Sequence, residues 1–254
     1  MTDPAVVADG LTKRYGEELA VSNLSLSIPA GDVYGFLGPN GAGKTTTMRM
    51  LTGLTRPTDG TATVAGAAVD DRPTLTERIG YLPADPPVFD ELTGREHLRY
   101  VARLHELPSD EAGERIDDML ARFDLAGDAD RRIGTYSTGM QKKVGAIAAL
   151  LGDPEVVFLD EPTSGLDPRA ARTMRDTVAA VAERDVTVFL SSHVLSVVDE
   201  LADTVGVIDD GELVAEGPTE ELKRRARDDG EADLETAFLD ITEDEDVPDE
   251  RVEA

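Results

Sequence analysis

One nine-residue stretch restricts what this chain can fold into more than any other part of the sequence. Residues 38–46 fit the pattern G-x-x-x-x-G-K-[ST] and directly follow an apolar run, Val33–Leu37, that predicts a buried strand. In this pattern backbone N–H groups close around a phosphate at the N-terminus of the next helix. The nine residues are Gly38, Pro39, Asn40, Gly41, Ala42, Gly43, Lys44, Thr45 and Thr46. A strand before and a helix after distinguish such a loop from a glycine-rich turn that Lys and Thr follow by chance.

A second apolar run ends in two adjacent carboxylates. Residues Val156–Leu159 are followed at once by Asp160 and Glu161. We expect Lys44 to neutralise the β- and γ-phosphates of a nucleotide, and Thr45 and Asp160 to hold Mg²⁺, Asp160 through water. Glu161 can polarise a water that attacks the γ-phosphate. Taken alone, the acidic pair also fits a strand followed by a solvated loop; beside a phosphate-binding loop it indicates a site for ATP hydrolysis.

Short apolar runs alternate with helical patterns, which is typical of α/β folds with a mainly parallel sheet. The clearest strands are Val33–Leu37, Val156–Leu159 and Val186–Leu190. An i, i+3, i+4, i+7 stripe that predicts an amphipathic helix is formed by Ile116, Met119, Leu120 and Phe123. A helix before it is predicted from Leu98, Val101 and Ala102.

These patterns predict a discontinuous nucleotide-binding core, made of residues 1–85 and 152–222. A helical subdomain, residues 86–151, is inserted into it. Residues 223–254 form an acidic C-terminal extension, and between Ile241 and Ala254 seven acidic side chains stand against a single Arg. Such a composition cannot bury enough apolar surface to fold, so we expect the end of the extension to be flexible.

Charge and composition exclude several classes of protein. The formal net charge is -27, so broad electrostatic binding to nucleic acid is not expected. There is no cysteine, which excludes disulfides, thiolate zinc sites and cysteine-ligated iron–sulfur clusters.

The chain has only five lysines, and an acid-rich, Lys-poor composition is typical of proteins from halophiles. At 1 M salt the Debye length is about 3 Å, so the repulsion between the acidic side chains is screened. An acidic protein from a mesophile is the alternative. No apolar stretch approaches the ~20 residues of a membrane-spanning helix, and the N-terminus is acidic, so we expect a cytoplasmic protein.

Four segments together resemble the nucleotide-binding subunits of ABC transporters: GPNGAGKTT, STGMQ, VVFLDEPTSGLDP and SSHV. The resemblance extends from about Val6 to Leu222. It implies a P-loop NTPase core with a mainly parallel sheet, an N-terminal antiparallel β-region and an inserted helical subdomain. It also implies ATP and Mg²⁺ as ligands, and a homodimer or a pair of nucleotide-binding subunits. A separate integral membrane permease would hold the protein peripherally on the inner face of the cell membrane.

The segment STGMQ resembles the signature of this family, which caps a helix and binds the γ-phosphate held by the opposing subunit. Ser137 and Gly139 match the common LSGGQ sequence, whereas Thr138 replaces Gly and Met140 replaces Gln. A helix N-terminus with Ser or Thr as its cap attracts an anion, so the resemblance is physically reasonable. A plain helix start would explain Ser137 and Thr138 but not their position shortly before the acidic strand.

Further residues take roles from the same resemblance. Asp167 belongs to a loop that communicates between the two active sites; because Pro168 follows, it is also a good helix N-cap, and both roles stay open. His193 resembles the histidine that contacts the γ-phosphate, and Tyr15 resembles the aromatic residue that stacks on adenine, although a strand Tyr also fits simple packing. Surface positions are expected for the other two histidines, His97 and His105.

One position departs from the family pattern. After Ile79–Pro83 the family usually has a Gln that contacts Mg²⁺ and senses the membrane subunit, whereas this chain has Ala84 followed by Asp85. Ala84 cannot bind a metal, so Asp85 or a water takes its place, or coupling there is looser. The permease is expected to dock a short helix beside this loop, against the apolar residues of Ala84–Phe89.

The leading hypothesis is therefore an ATPase that drives a separate permease. Within the family, Thr93–Leu98 and Asp233–Leu239 resemble subunits of ABC-2 type exporters. The alternative is an ABC ATPase without a transport role, such as one that acts in iron–sulfur cluster assembly, which has a similar size.

Overall fold

The computed structural model describes residues 3–225, 234–236 and 238, which contain two sheets, the eight α-helices named below and two short 3₁₀ helices, Ala126–Asp128 and Ile133–Thr135. The strands are β1 (Pro4–Tyr15), β2 (Glu18–Pro29), β3 (Val33–Leu37), β4 (Asp59–Val64), β5 (Ala67–Ala68), β6 (Ile79–Leu82), β7 (Val156–Asp160), β8 (Thr187–Ser192), β9 (Thr204–Asp209) and β10 (Glu212–Pro218). The helices are α1 (Lys44–Leu51), α2 (Arg72–Arg78), α3 (Gly94–Leu104), α4 (Ser109–Arg122), α5 (Thr138–Leu150), α6 (Pro168–Ala182), α7 (Leu195–Leu201) and α8 (Thr219–Arg225).

The N-terminal sheet is antiparallel and has the strand order β2-β1-β4-β5. Polar and apolar residues alternate along β2, and Leu24, Leu26 and Ile28 are buried there. This alternation is typical of a sheet with one face on the core and one in solvent. The predicted N-terminal antiparallel β-region is therefore present.

The second sheet has the order β10-β9-β3-β8-β7-β6 and is parallel except for β10. All residues of β3, β7 and β8 are buried, as expected for strands covered on both faces. The strand predicted as Val186–Leu190 lies at Thr187–Ser192 instead, because Ser191 pairs with Asp160 and Ser192 with Leu37. Pairing, which an apolar run does not reveal, extends this strand into polar residues.

The neighbouring strands β3, β8 and β7 are parallel, so their carboxyl ends lie at one edge of the sheet. Ligand sites in such sheets lie beyond that edge. The chain leaves β3 at Gly38, and β7 and β8 end at Asp160 and Ser192. The topology thus brings together the two motifs that are far apart in the sequence.

Helices α3, α4 and α5 belong to the segment predicted as helical, residues 86–151. Ile116 and Leu120 are buried in α4, Phe123 is buried at its C-cap and Met119 is half-buried, as the stripe predicts. The prediction of a surface position for His97 is wrong. His97 is only 3% exposed, because it shares the buried face of α3 with Leu98 and its ring lies 5.7 Å from that of Phe89.

The predicted C-terminal extension begins inside a helix, since Lys223 is a residue of α8. Leu234 is buried in a cluster with Val198 and Leu222, so part of the extension packs against the core. The residues predicted to form its flexible acidic end, 241–254, lie outside the described residues. Among the residues described, no helix is both long and apolar enough to cross a membrane.

Candidate nucleotide site

The phosphate-binding loop connects β3 to α1 and needs glycine at its last position. Gly43 is the N-cap of α1 and has a φ of 104°, a left-handed conformation that favours glycine. A Cβ atom at this residue would lie 2.6 Å from the carbonyl oxygen of Ala20. The strand β2 therefore packs so closely behind the loop that no larger residue fits there.

The start of α1 leaves its backbone donors available. No side chain caps the helix, and the first helical bond is donated by the N–H of Thr47 to the carbonyl of Gly43. The N–H groups of Lys44, Thr45 and Thr46 have no acceptor within the helix. Together with the helix dipole they form a binding site for an anion.

The Lys44 ammonium lies on the loop itself. Its Nζ donates to the carbonyl oxygens of Gly38 at 2.6 Å and Pro39 at 2.9 Å, and it lies 3.9 Å from Oε1 of Glu161. Burial lowers the pKa of Lys44, while the nearby charges of Glu161 and Asp160 act in the opposite direction. A cation is thus placed beside the N–H groups that would receive a phosphate.

Asp160 is held by two hydroxyl groups. Thr45 Oγ1 donates to Oδ2 at 2.9 Å, and Ser191 Oγ donates to Oδ1 at 2.6 Å. The residue is only 1% exposed. The two hydroxyl donors fix the direction of this buried carboxylate, and each oxygen keeps a further lone pair for a cation.

Glu161 has the same charge in different surroundings. Both of its carboxylate oxygens are buried and accept no hydrogen bond, although His193 Nδ1 lies 2.8 Å from Oε2. Its φ is 49°, which is unusual for a residue other than glycine. Its N–H donates to the carbonyl and Oγ of Ser191, on the neighbouring strand β8.

The donor set fits Mg²⁺ better than a metal bound by protein ligands alone. No group of three or more His, Cys, Asp or Glu side chains in the described part of the chain could hold a metal ion. Thr45 and Asp160 supply a hydroxyl and a carboxylate, and Mg²⁺ commonly binds one or two carboxylates and completes its shell with phosphate and water. Asp85 is exposed, and its role as a further ligand stays a prediction.

The residues assigned to the opposing site lie on the surface. Ser137 is exposed and caps α5 by accepting the Met140 N–H at 3.3 Å. Asp167 is exposed and caps α6. Its carboxylate accepts hydrogen bonds from the N–H groups of Ala170 and Arg169, and these bonds lower its pKa. Among the residues described, no hydrogen bond joins these caps to the loop 38–46.

Tyr15, the residue expected to stack on adenine, lies at the end of β1. It is 45% exposed, and its ring centroid lies 5.0 Å from Lys13 Nζ. Ser191, which orients Asp160, is not among the predicted site residues. Its position at the end of an apolar run, two residues before His193, was the sequence feature that could have indicated it.

A cavity of about 470 Å³ lies elsewhere, between α4 and α6, and none of the predicted site residues lines it.

Comparison with known proteins agrees with this geometry. The ABC transporter family matches residues 21–164. The chain is 42% identical to the daunorubicin resistance ATP-binding protein DrrA3 of Streptomyces coeruleorubidus, over 88% of this chain and 71% of that protein. It is 41% identical to the bacitracin transport ATP-binding protein BcrA of Bacillus licheniformis, over 85% of this chain and 71% of that protein. These relatives are not iron–sulfur assembly ATPases, so that alternative is not supported.

Solved structures lead to the same family. An ATP-binding subunit of an ABC transporter superposes with a TM-score of 0.86 and 27% identity, over 94% of this chain and 99% of that one. CbiO1 of Clostridium perfringens, part of the ABC transporter complex cbiONQ, gives a TM-score of 0.77 and 26% identity, over 87% and 90% of the two chains. The chain therefore belongs to the ABC transporter family, as an ATPase subunit.

Proposed function

We propose that two copies of this chain, or this chain and a similar subunit, enclose two ATP molecules and hydrolyse them to drive a separate export permease. The observation that carries the proposal is the Glu161 carboxylate beside the phosphate-binding loop: its oxygens are buried and accept no hydrogen bond, and they lie 2.8 Å from His193 Nδ1 and 3.9 Å from Lys44 Nζ. A buried charge with open acceptor sites is costly in a purely structural role. It suits a group that binds and polarises a water.

Different residues bind the phosphates, the adenine and the Mg²⁺ ion. The N–H groups of residues 38–46 and the Lys44 ammonium hold the phosphates, and Tyr15 stacks on the adenine. Thr45 and Asp160 would hold Mg²⁺, with Ser191 fixing the direction of the Asp160 carboxylate. When bound, Mg²⁺ neutralises charge on the β- and γ-phosphate oxygens.

Glu161 and His193 act on the reacting end of ATP. Glu161 accepts a hydrogen bond from a water and takes its proton as the water oxygen attacks the γ-phosphorus. The bond from that phosphorus to the β–γ bridging oxygen breaks, and ADP leaves with the bonding electrons. His193, whose Nδ1 lies beside Glu161, contacts the γ-phosphate with the other side of its ring.

The second subunit completes each site. Ser137 of the partner subunit and Gly139 of the partner subunit present the free N–H groups of a helix N-terminus to the γ-phosphate. The exposed position of this helix start in a single chain leaves it available for that contact. Asp167 lies in the loop that would join the two sites, in addition to capping α6.

The permease would dock beside the loop after β6. A groove of about 350 Å³ lies there, lined by Pro86, Pro87, Phe89, Tyr100 and Leu104 among others. Phe89 is 50% exposed and Leu104 65%, which suits an apolar helix from a membrane subunit. Of the loop residues predicted to line it, Val88 instead packs against the hydrophobic core. Through this contact the chain would lie at the cytoplasmic face of the membrane.

Export is the proposed direction of transport. The relatives named above are proteins of daunorubicin resistance and bacitracin transport. Residues 93–98 also resemble this segment in ABC-2 type exporters, and α3 begins there with a capping box between Thr93 and Glu96.

The test of the proposal is the variant Glu161→Gln. The amide cannot take a proton, so we expect hydrolysis to fall by at least ~100-fold while ATP affinity is retained. Because hydrolysis then no longer opens the dimer that encloses ATP, the variant should form a stable dimer with ATP. Light scattering after gel filtration measures this dimer. Near wild-type turnover, or a monomer at saturating ATP, would contradict the proposal.

A further inference from the structure

Lys142 is a buried lysine that has no role in the function described so far. It lies in α5, close to the helix start, and is only 5% exposed. Its Nζ donates to two backbone carbonyl oxygens, that of Glu161 at 3.0 Å and that of Ser164 at 2.6 Å. A lysine is rarely so buried unless it is paired, so these two bonds are the reason for its position.

The two carbonyls belong to the turn that carries the catalytic carboxylate. The N–H of Ser164 donates to the carbonyl of Glu161 at 3.2 Å and closes this turn. Glu161, at its first position, has the left-handed φ of 49°. Such a conformation persists only where surrounding contacts impose it. Ser191 holds the N–H side of Glu161, and Lys142 holds its carbonyl side.

We propose that Lys142 is a positioning residue, which fixes the turn at Glu161 and with it the direction of the Glu161 carboxylate. The inference rests on the proposed function, in which Glu161 polarises the attacking water. The helix that carries Lys142 is capped by Ser137, the residue assigned to the ATP of the other subunit. Lys142 therefore connects the base of one site to the γ-phosphate contact of the second site through one rigid element.

The charge around Lys142 supports this assignment. Burial lowers its pKa, whereas the negative charges of Glu161, Asp85 and Asp160 favour the ammonium form. The carboxylates therefore favour the same charged donor that the two carbonyl oxygens accept from. Asp85, from the loop after β6, is close enough to contribute to this balance.

Substitution of Lys142 tests the proposal. We expect Lys142→Met to lower kcat for ATP hydrolysis by at least ~10-fold, because small displacements of a catalytic group are costly. The Kd for ATP should change by less than about twofold, since the phosphate-binding loop is intact. Lys142→Arg should restore most of kcat, because a guanidinium can also donate to two carbonyls. The control is Lys223→Met, which removes a lysine bonded to Asp199 and Glu220 in α7 and α8 and should leave kcat unchanged.

A double variant separates positioning from a general structural role. If Lys142 acts through Glu161, Lys142→Met should lower the residual rate of Glu161→Gln by less than about twofold. An equal ~10-fold loss in both backgrounds, or a wild-type kcat in Lys142→Met, would overturn the proposal. Near wild-type hydrolysis by Glu161→Gln alone would instead contradict the proposed function. Should Lys142→Met fail to fold, Lys142→Gln, whose shorter side chain should not keep both carbonyl bonds, is measured by the same criteria.

Discussion

Asp160 and Glu161 are neighbours in the chain, yet their carboxylates have different surroundings. Both oxygens of Asp160 accept a hydroxyl hydrogen bond, whereas those of Glu161 accept none. The sequence predicts that the two carboxylates lie at a strand end beside the phosphate-binding loop. It does not predict the left-handed backbone of Glu161 or the Ser191 contact, because both depend on how β7 pairs with β8.

At the residue scale, Asp85 provides a direct prediction. If it takes the place of the missing Gln, Asp85→Ala should raise the Mg²⁺ concentration needed for half-maximal hydrolysis, because one oxygen ligand or water-binding group is lost. Ala84→Gln in the same chain should then partly reverse the shift. Glu91→Ala, an exposed acid a few residues further on, is the matched control. Superimposable Mg²⁺ titrations of all these variants would leave Asp85 as a surface acid.

At the scale of elements, periodicity predicted where helices form but less well which side chains they bury. The stripe of α4 is buried as predicted, and the Ser137 and Asp167 caps begin α5 and α6. The surface position predicted for His97 is wrong, because residue type alone does not show which face of a helix is buried. Its position directly before Leu98, on the buried face of α3, decides its burial instead. The ring of Phe89 also packs against His97, and Phe89 lies in a loop whose path the sequence pattern does not predict.

The groove between α3 and the loop after β6 gives the prediction at this scale. Phe89→Ser should lower the fraction of the protein bound to native membranes by about tenfold or more, as is typical for loss of an aromatic anchor at an interface. Leu54→Ser is the matched control, because Leu54 is as exposed as Phe89, at 50%, and does not line the groove. Sedimentation of membranes measures the bound fraction. Equal binding by the two variants would place the permease contact elsewhere.

At the scale of the whole molecule, two sheets and the helical segment bring together residues from distant parts of the chain. The mainly parallel sheet and the helical segment were predictable from motif order and periodicity, whereas the antiparallel N-terminal region was implied only by the resemblance to ABC transporter subunits. The burial of Leu234 was not predictable, because the acidic composition of this segment does not indicate that one of its apolar residues packs against the core. The division into domains and the origin from a halophile, based on the -27 charge, stay predictions.

In the proposed dimer each ATP site is shared between two subunits, and complementation of two inactive variants tests this sharing. Lys44→Ala removes the phosphate-binding cation. Gly139→Asp places a negative charge where the γ-phosphate should bind; its Cβ would meet Leu166 and Ala170 only at ordinary contact distances of 3.5 and 3.7 Å, so the variant should fold. Homodimers of either variant have no complete site. A mixed dimer has one, built from the loop of the Gly139→Asp chain and the helix start of the Lys44→Ala chain.

The measurement is the ATPase rate of an equimolar mixture of the two variants, compared with each variant alone. Mixing should restore activity, up to about a quarter of the wild-type rate, because half of randomly formed dimers are mixed and each has one of two sites intact. A mixture no more active than the average of the separate variants would contradict the shared site.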